Sequence, residues 1–118
     1  MGKLSRTKGH NWERQCAAIL SGIRGIEAKR NLTEVREGSS GDLEVTGAPL
    51  LPECKVGVRT NPIAALRQAV DAAEGTGKIP VVFVRQNRHG GRDRLDAAVL
   101  TMPDYMEMVA LIKSLGGW

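Results

Sequence analysis

Aromatic side chains are nearly missing from this chain. Two Trp, one Tyr and one Phe make up 3% of its 118 residues, so its core must be aliphatic. Cysteine is scarce too. Cys16 and Cys54 are the only two, which excludes a disulfide framework and predicts reduced thiols in a cytoplasmic setting. The two histidines, His10 and His89, have no acid or cysteine spacing that would make a zinc site. No apolar run approaches the roughly 18 residues that a membrane span needs. The first fifteen residues are polar and basic, so no secretion signal is expected there. Nothing calls for an organic cofactor, and no internal repeat or low-complexity block is present.

What is there suits one globular domain. Hydrophobic residues are 42% and charged residues 25%, enough apolar surface to exclude global disorder. The net charge of +4 is unevenly spread. Residues 1–30 carry a net +5 and residues 85–94 a net +3, around an acidic middle of net −2. Two basic segments point toward a polyanionic partner, nucleic acid first. They fit a solvated surface equally well.

Residues 1–10 are expected to be a basic, flexible arm, residues 11–115 the domain, and 116–118 a tail. From Asn11, the spacing of Trp12, Cys16 and Leu20 predicts a helix with Trp12 in its core face. Thr33–Arg36 and Asp42–Thr46 read as strands, and Leu50–Val58 as a third with Pro52 at an edge or irregular start. Asn61-Pro62 starts a second helix, with Ile63, Leu66, Val70 and Ala73 as its apolar face. Pro80–Val84 has the unbroken apolar character of a covered strand. Leu95–Leu100 returns beside it, making a hairpin with a basic tip. Pro103 opens a last helix with Tyr105, Met106, Val109 and Ile112 near one face. The order α-β-β-β-α-β-β-α predicts an α/β domain with a mixed sheet flanked by helices.

The chemistry concentrates in Gly41-Asp42 and Glu53-Cys54-Lys55. Strand alternation puts Glu53 and Lys55 on one face and Cys54 on the other, toward the core. Two carboxylates near one point repel each other unless a cation lies between them. Hard oxygen donors suit Mg²⁺ or Mn²⁺, and a lysine beside the ion's water completes the parts for phosphodiester hydrolysis. The triplet alone is weak: an acid-x-Lys pattern arises by chance roughly 0.7 times in such a chain. Glu27-Ala28-Lys29 is a second copy, set aside because no acidic strand precedes it. A cross-strand ion pair on a surface strand fits Glu53 and Lys55 as well.

The layout resembles the PD-(D/E)xK nuclease superfamily, and within it the small Holliday-junction-resolvase-like enzymes of phages and archaea. The likeness runs from about Lys8 to Val109. It rests on Gly9-His10-Asn11-Trp12-Glu13-Arg14, on the loop Gly38-Ser39-Ser40-Gly41 into Asp42, on Glu53-Cys54-Lys55, on a helix carrying Gln68, and on the strand Gly77–Val84. The superfamily's proline before the aspartate is replaced here by Gly41. The resemblance implies a restriction-endonuclease-like core with a mixed five-stranded sheet. It implies Asp42, Glu53 and the Cys54 carbonyl as ligands of Mg²⁺ or Mn²⁺, with Glu13 assisting directly or through water. Lys55 would activate the attacking water. Gln68, on a small-residue face with Ala64, Ala65 and Ala72, would sit beside the site. DNA phosphates would meet Lys3, Arg6, Lys8, Arg14, Ser39, Ser40, Arg85, Arg88 and Arg92.

Three functions follow. The first is a metal-dependent endonuclease acting on branched DNA as a homodimer, in the host cytoplasm if phage-encoded. The second keeps the chemistry but cuts linear or nicked DNA. The third is a basic, non-catalytic nucleic-acid-binding protein whose acidic pair is structural.

Overall fold

The computed structural model describes residues 3–32 and 41–118, with side chains from Thr7 onward. Its elements are α1 (Lys3–Ser21), β1 (Glu27–Arg30), β2 (Leu43–Thr46), β3 (Leu50–Gly57), α2 (Pro62–Ala73), β4 (Ile79–Gln86), β5 (Leu95–Val99) and α3 (Met102–Ser114). The order is the expected one, but its parts differ in four ways.

The helix begins at Lys3 rather than Asn11. Once Trp12, Cys16 and Leu20 anchor α1 in the core, adding turns at its N-terminal end is cheap, because only nucleation is costly. Gly9 faces open space and is tolerated at about 1 kcal/mol. The first described strand is Glu27–Arg30, which was not expected; the expected strand at Thr33–Arg36 lies outside the described residues.

Among the described residues the strands do not form one five-stranded sheet. β1 and β2 form an antiparallel pair, while β3, β4 and β5 form a mixed sheet, β3–β4 parallel and β4–β5 antiparallel. β2 and β3 are neighbours, joined at their start by the Asp42 N–H donating to the Pro52 carbonyl at 2.9 Å. Two features stop a ladder there. That bond shows which edge of Pro52 faces β2, and Pro52 has no N–H to give on it. The next donor on that edge, the Cys54 N–H, is taken by the Asp42 side chain at 2.7 Å.

The helices lie on opposite faces of the mixed sheet. α1 packs Trp12, Cys16 and Leu20 against Cys54, Val56 and Phe83. The Trp12 indole N–H donates to the Phe83 carbonyl at 2.9 Å, giving the one polar atom of that ring its partner. α2 packs Ala65 and Leu66 against Val82 and Val84 on the other face. Its start is as expected: the Asn61 side chain accepts the Ala64 N–H at 3.1 Å, with Pro62 in the first turn. Its packed face is the expected one only in part, at Leu66 and Ala73. Ala65, Leu66, Ala69 and Ala73 are buried, while Ile63 and Val70 are exposed. Alanines let the helix backbone approach the valine-covered sheet closely, and the bulkier side chains turn outward. α3 is capped by Thr101, yet none of its residues is buried.

Candidate functional site

The site grows from the start of β2. A Cβ on Gly41 would lie 2.5 Å from the Pro52 carbonyl oxygen and 3.2 Å from Leu51. Only glycine allows the chain to pass β3 that closely. Asn31, buried at the end of β1, holds the same segment from the other side. Its N–H donates to the Asp42 carbonyl at 2.9 Å and its side-chain amide to the Gly41 carbonyl at 3.0 Å. Asp42 is thereby fixed in backbone and in side chain, and is 8% exposed.

The Asp42 carboxylate rests on the peptide N–H of Cys54, the residue between Glu53 and Lys55. Glu53 pairs in register with Val82 and Lys55 with Val84, so both acid and lysine stand on the α2 side of the sheet. Glu53 is half-buried and Lys55 exposed. Lys55 and Gln68 line one concave surface of about 290 Å³, together with Arg59, Thr60 and Asn61. Gln68 thus borders the same concavity as Lys55. Asn31 and Arg59 were not legible in advance. Asn31 acts through the pairing of β1 with β2, and Arg59 through the short turn that brings β3 into α2. Neither depends on a local sequence pattern.

Cys54 points the other way, into the α1 core. A hydrogen bond with the Cys16 thiol pushes the Cys54 thiol well above the usual range. Burial and the negative charges of Asp42 and Glu13 push in the same direction. It is a partly buried thiol with little thiolate character. Both carboxylates lie near it. Glu13 itself is 7% exposed and ion-paired, its Oε1 accepting from Arg30 Nε at 3.0 Å. The set-aside copy, Glu27-Ala28-Lys29, lies on β1, where Lys29 faces Glu44 across the strands at 3.7 Å with both side chains exposed. That is a solvent-screened pair of little worth.

The basic residues divide into free and engaged groups. Lys8 and Arg92 are exposed. Arg14 is exposed and bonds Asn11 at 3.0 Å. Arg88 pairs with Asp93 at the exposed hairpin tip, next to the His89–Arg92 bridge. Arg85 makes two bonds to Asp96, at 2.8 and 3.0 Å, and its guanidinium lies 4.2 Å from the centre of the Trp12 ring. These contacts lock it into the fold. Lys3 and Arg6 are in the first turns of α1, and Ser39 and Ser40 fall outside the described residues.

Among the described residues, no three His, Cys, Asp or Glu side chains converge as a metal cage, and no helix is long and apolar enough to cross a membrane. No protein-family model matches the chain, and no curated protein matches it in sequence.

Proposed function

We propose that this chain is a Mg²⁺- or Mn²⁺-dependent endodeoxyribonuclease whose substrate is branched, four-way-junction-like DNA. One observation carries the reading. The buried Asp42 carboxylate is held against the peptide between Glu53 and Lys55, and Lys55 shares a concave surface with Gln68. A purely structural cross-strand pair needs neither a buried carboxylate at the β3 backbone nor a polar helix residue beside the lysine.

The residues fit a small hard dication. Two carboxylates, one buried and one half-buried, and the Cys54 carbonyl are oxygen donors. Mg²⁺ keeps several waters and takes few protein ligands, so a third acid is not required. When bound, such an ion polarises a phosphoryl oxygen and acidifies a water. The chain's own groups supply the remaining parts. Lys55, exposed and positively charged, stabilises hydroxide at the attacking position and the charge that builds on phosphate oxygens. Gln68 orients that water or a non-bridging oxygen by hydrogen bonds. Arg59 meets a flanking phosphate in the same concavity. Asn31 and Gly41 hold Asp42 in place. Such an enzyme works in the reducing cytoplasm, where Cys16 and Cys54 stay as thiols.

The test is cleavage of labelled four-way-junction, flap, nicked and linear DNA, with Mg²⁺, with Mn²⁺ and with chelator. Junction-selective, metal-dependent cutting is the expected result. Equal cutting of linear or nicked DNA would reassign the substrate. Binding with no cutting in either metal would leave a non-catalytic DNA-binding protein, a reading that the Glu13–Arg30 pairing favours, since it gives the helix acid a structural partner.

A further inference from the structure

The ion pair of Glu13 with Arg30 is one-sided. Glu13 Oε1 accepts from Arg30 Nε at 3.0 Å, with the Arg30 side chain 16% and the Glu13 side chain 9% exposed. Residues opposed across β1 and β2 share a face of that ribbon. Arg30, opposite Leu43, therefore follows Ala28, opposite Val45. Ala28, Leu43 and Val45 pack against the α1 core, so Arg30 closes a row of side chains under α1, with Glu13 behind it. The next residue, Asn31, holds the Asp42 backbone. Arg30 is thus set beside the start of β2, where the candidate metal ligand Asp42 lies. A guanidinium has five N–H donors in a fixed fork. Arg85 spends two of them, Nε and Nη2, on Asp96, whereas Arg30 gives Nε alone. Among the described residues its Nη groups bond nothing else. No buried polar side-chain atom among those residues lacks a partner, so both Nη groups reach the surface.

We propose that Arg30 contacts a DNA phosphate adjacent to the one at Asp42, and that Glu13 is its positioning residue. A buried ion pair gains little net stability over an apolar pair, so stability does not account for this one. A buried carboxylate behind an outward fork does. Glu13 fixes the side chain by its Nε edge, and the arginine is ordered before any ligand arrives. The outward end is positive and carries parallel donors, the geometry that meets phosphate oxygens bidentately. Glu13 then acts through Arg30 and not on the metal, which departs from the role that the nuclease resemblance implies for it. This contact rests on the proposed function and deepens it, because the phosphate belongs to the DNA whose neighbouring linkage lies at Asp42.

The test is binding of labelled four-way-junction and linear DNA in Ca²⁺ over a range of chloride concentrations, with cleavage in Mg²⁺ measured separately. Each phosphate contact adds about 0.9 to the slope of log affinity against log salt. Arg30→Gln should flatten that slope by about one. It should also weaken binding roughly tenfold at low salt, as loss of one charge-assisted contact implies. Arg30→Lys keeps the charge but cannot hold Glu13 and offer a fork at once, so its affinity should fall between. Lys29→Gln, at the exposed neighbour on the other face of β1, should leave the slope unchanged. Glu13→Gln keeps an acceptor for Nε and should keep the slope, while Glu13→Leu offers none and should weaken binding with Arg30 still present. Circular dichroism checks that each variant is folded. Where Arg30→Gln melts early, the double variant Glu13→Gln with Arg30→Gln buries no lone charge and carries the same expectation. An Arg30→Gln or double variant with the wild-type slope overturns the phosphate contact, whatever the cleavage result. A folded Glu13→Leu that binds as wild type overturns the role of Glu13. Inorganic phosphate without DNA is the competing source. A rise in melting temperature over chloride of equal ionic strength that Arg30→Gln lacks would make the fork a free-anion site and overturn its assignment to DNA. Wild type that binds without cutting removes the nuclease reading and leaves the contact to be decided by the slopes. Wild type that binds no DNA overturns both.

Discussion

Replacing Asp42 separates its structural duty from its chemical one, because the two need different atoms. Its Oδ2 accepts the Cys54 N–H at 2.7 Å, a bond for which a neutral amide oxygen has the right shape. Asp42→Asn keeps an acceptor and loses the charge. A charge-assisted bond is roughly twice as strong as a neutral one, so the loss is about 1 kcal/mol. Relief of repulsion with nearby carboxylates offsets part of it. Asp42→Ala removes the acceptor and leaves the Cys54 N–H without its partner at the edge of the core. That costs about 1–3 kcal/mol for the orphaned donor, in addition to the lost bond. With a melting shift of roughly 2–8 °C per kcal/mol for domains near this size, Asn should melt within a few degrees of wild type and Ala clearly lower. Cleavage should not follow that order. Both variants lack a charged ligand, and both should be inactive, while junction affinity in Ca²⁺ holds or rises as a carboxylate stops repelling phosphate. The measurements are thermal and urea unfolding, cleavage rate and binding on the same three proteins. An Asp42→Asn protein that cuts at the wild-type rate refutes the catalytic argument. One that unfolds as easily as Asp42→Ala refutes the hydrogen-bond argument.

Lys55→Ala removes an exposed side chain, so stability should be unchanged. Cleavage should fall by ~10²–10³, as for loss of one electrostatic group at a reacting centre, with little change in affinity because many phosphate contacts share the binding; parallel rate and gel-shift titrations check this. Gly41→Ala forces a Cβ onto the Pro52 carbonyl, which is backbone and must shift. Destabilisation of about 1–3 kcal/mol is expected, read by urea unfolding. Arg85, hydrogen-bonded to Asp96 and aided by Arg94, holds the Asp96 carboxyl below the usual aspartate range. A depressed folded-state value stabilises above the unfolded value of about 3.9 and is lost as pH falls through the folded one. The stability advantage of wild type over Asp96→Asn should therefore be constant near neutrality and vanish in strong acid. It should be small, since the Asp96 side chain is 38% exposed.

The parts of the fold that were legible in the sequence are those set by local rules. Asn61-Pro62 declares a helix start whatever surrounds it, and the unbroken run from Pro80 declares a strand covered on both faces. Packing choices were less legible. On α2 the sequence offers two faces, a bulky one with Ile63 and Val70 and a small one with Ala65 and Ala69. Bulk predicts the buried face only in part: Leu66 packs with Val82 and Val84 as expected, but Ala65 and Ala69 take the places expected of Ile63 and Val70. β1, Glu27-Ala28-Lys29-Arg30, has a single apolar residue, so no alternation announces it.

At the site the limit has a different cause. Alternation along β3 was enough to separate Glu53 and Lys55 from Cys54, and the register with β4 agrees. What alternation could not give is how Asp42 reaches β3. A regular five-stranded sheet would have paired Cys54 with a β2 carbonyl and left the Asp42 side chain to alternate in or out. Instead Pro52 removes one donor, Gly41 allows the close pass, and the carboxylate takes the place of a ladder rung. The break in the sheet and the placement of the acid are one event. If the nuclease reading is right, this break also serves the chemistry. A carboxylate bonded to the Cys54 N–H is tied to the β3 backbone, so the acid at the start of β2 keeps its position relative to Glu53 and Lys55.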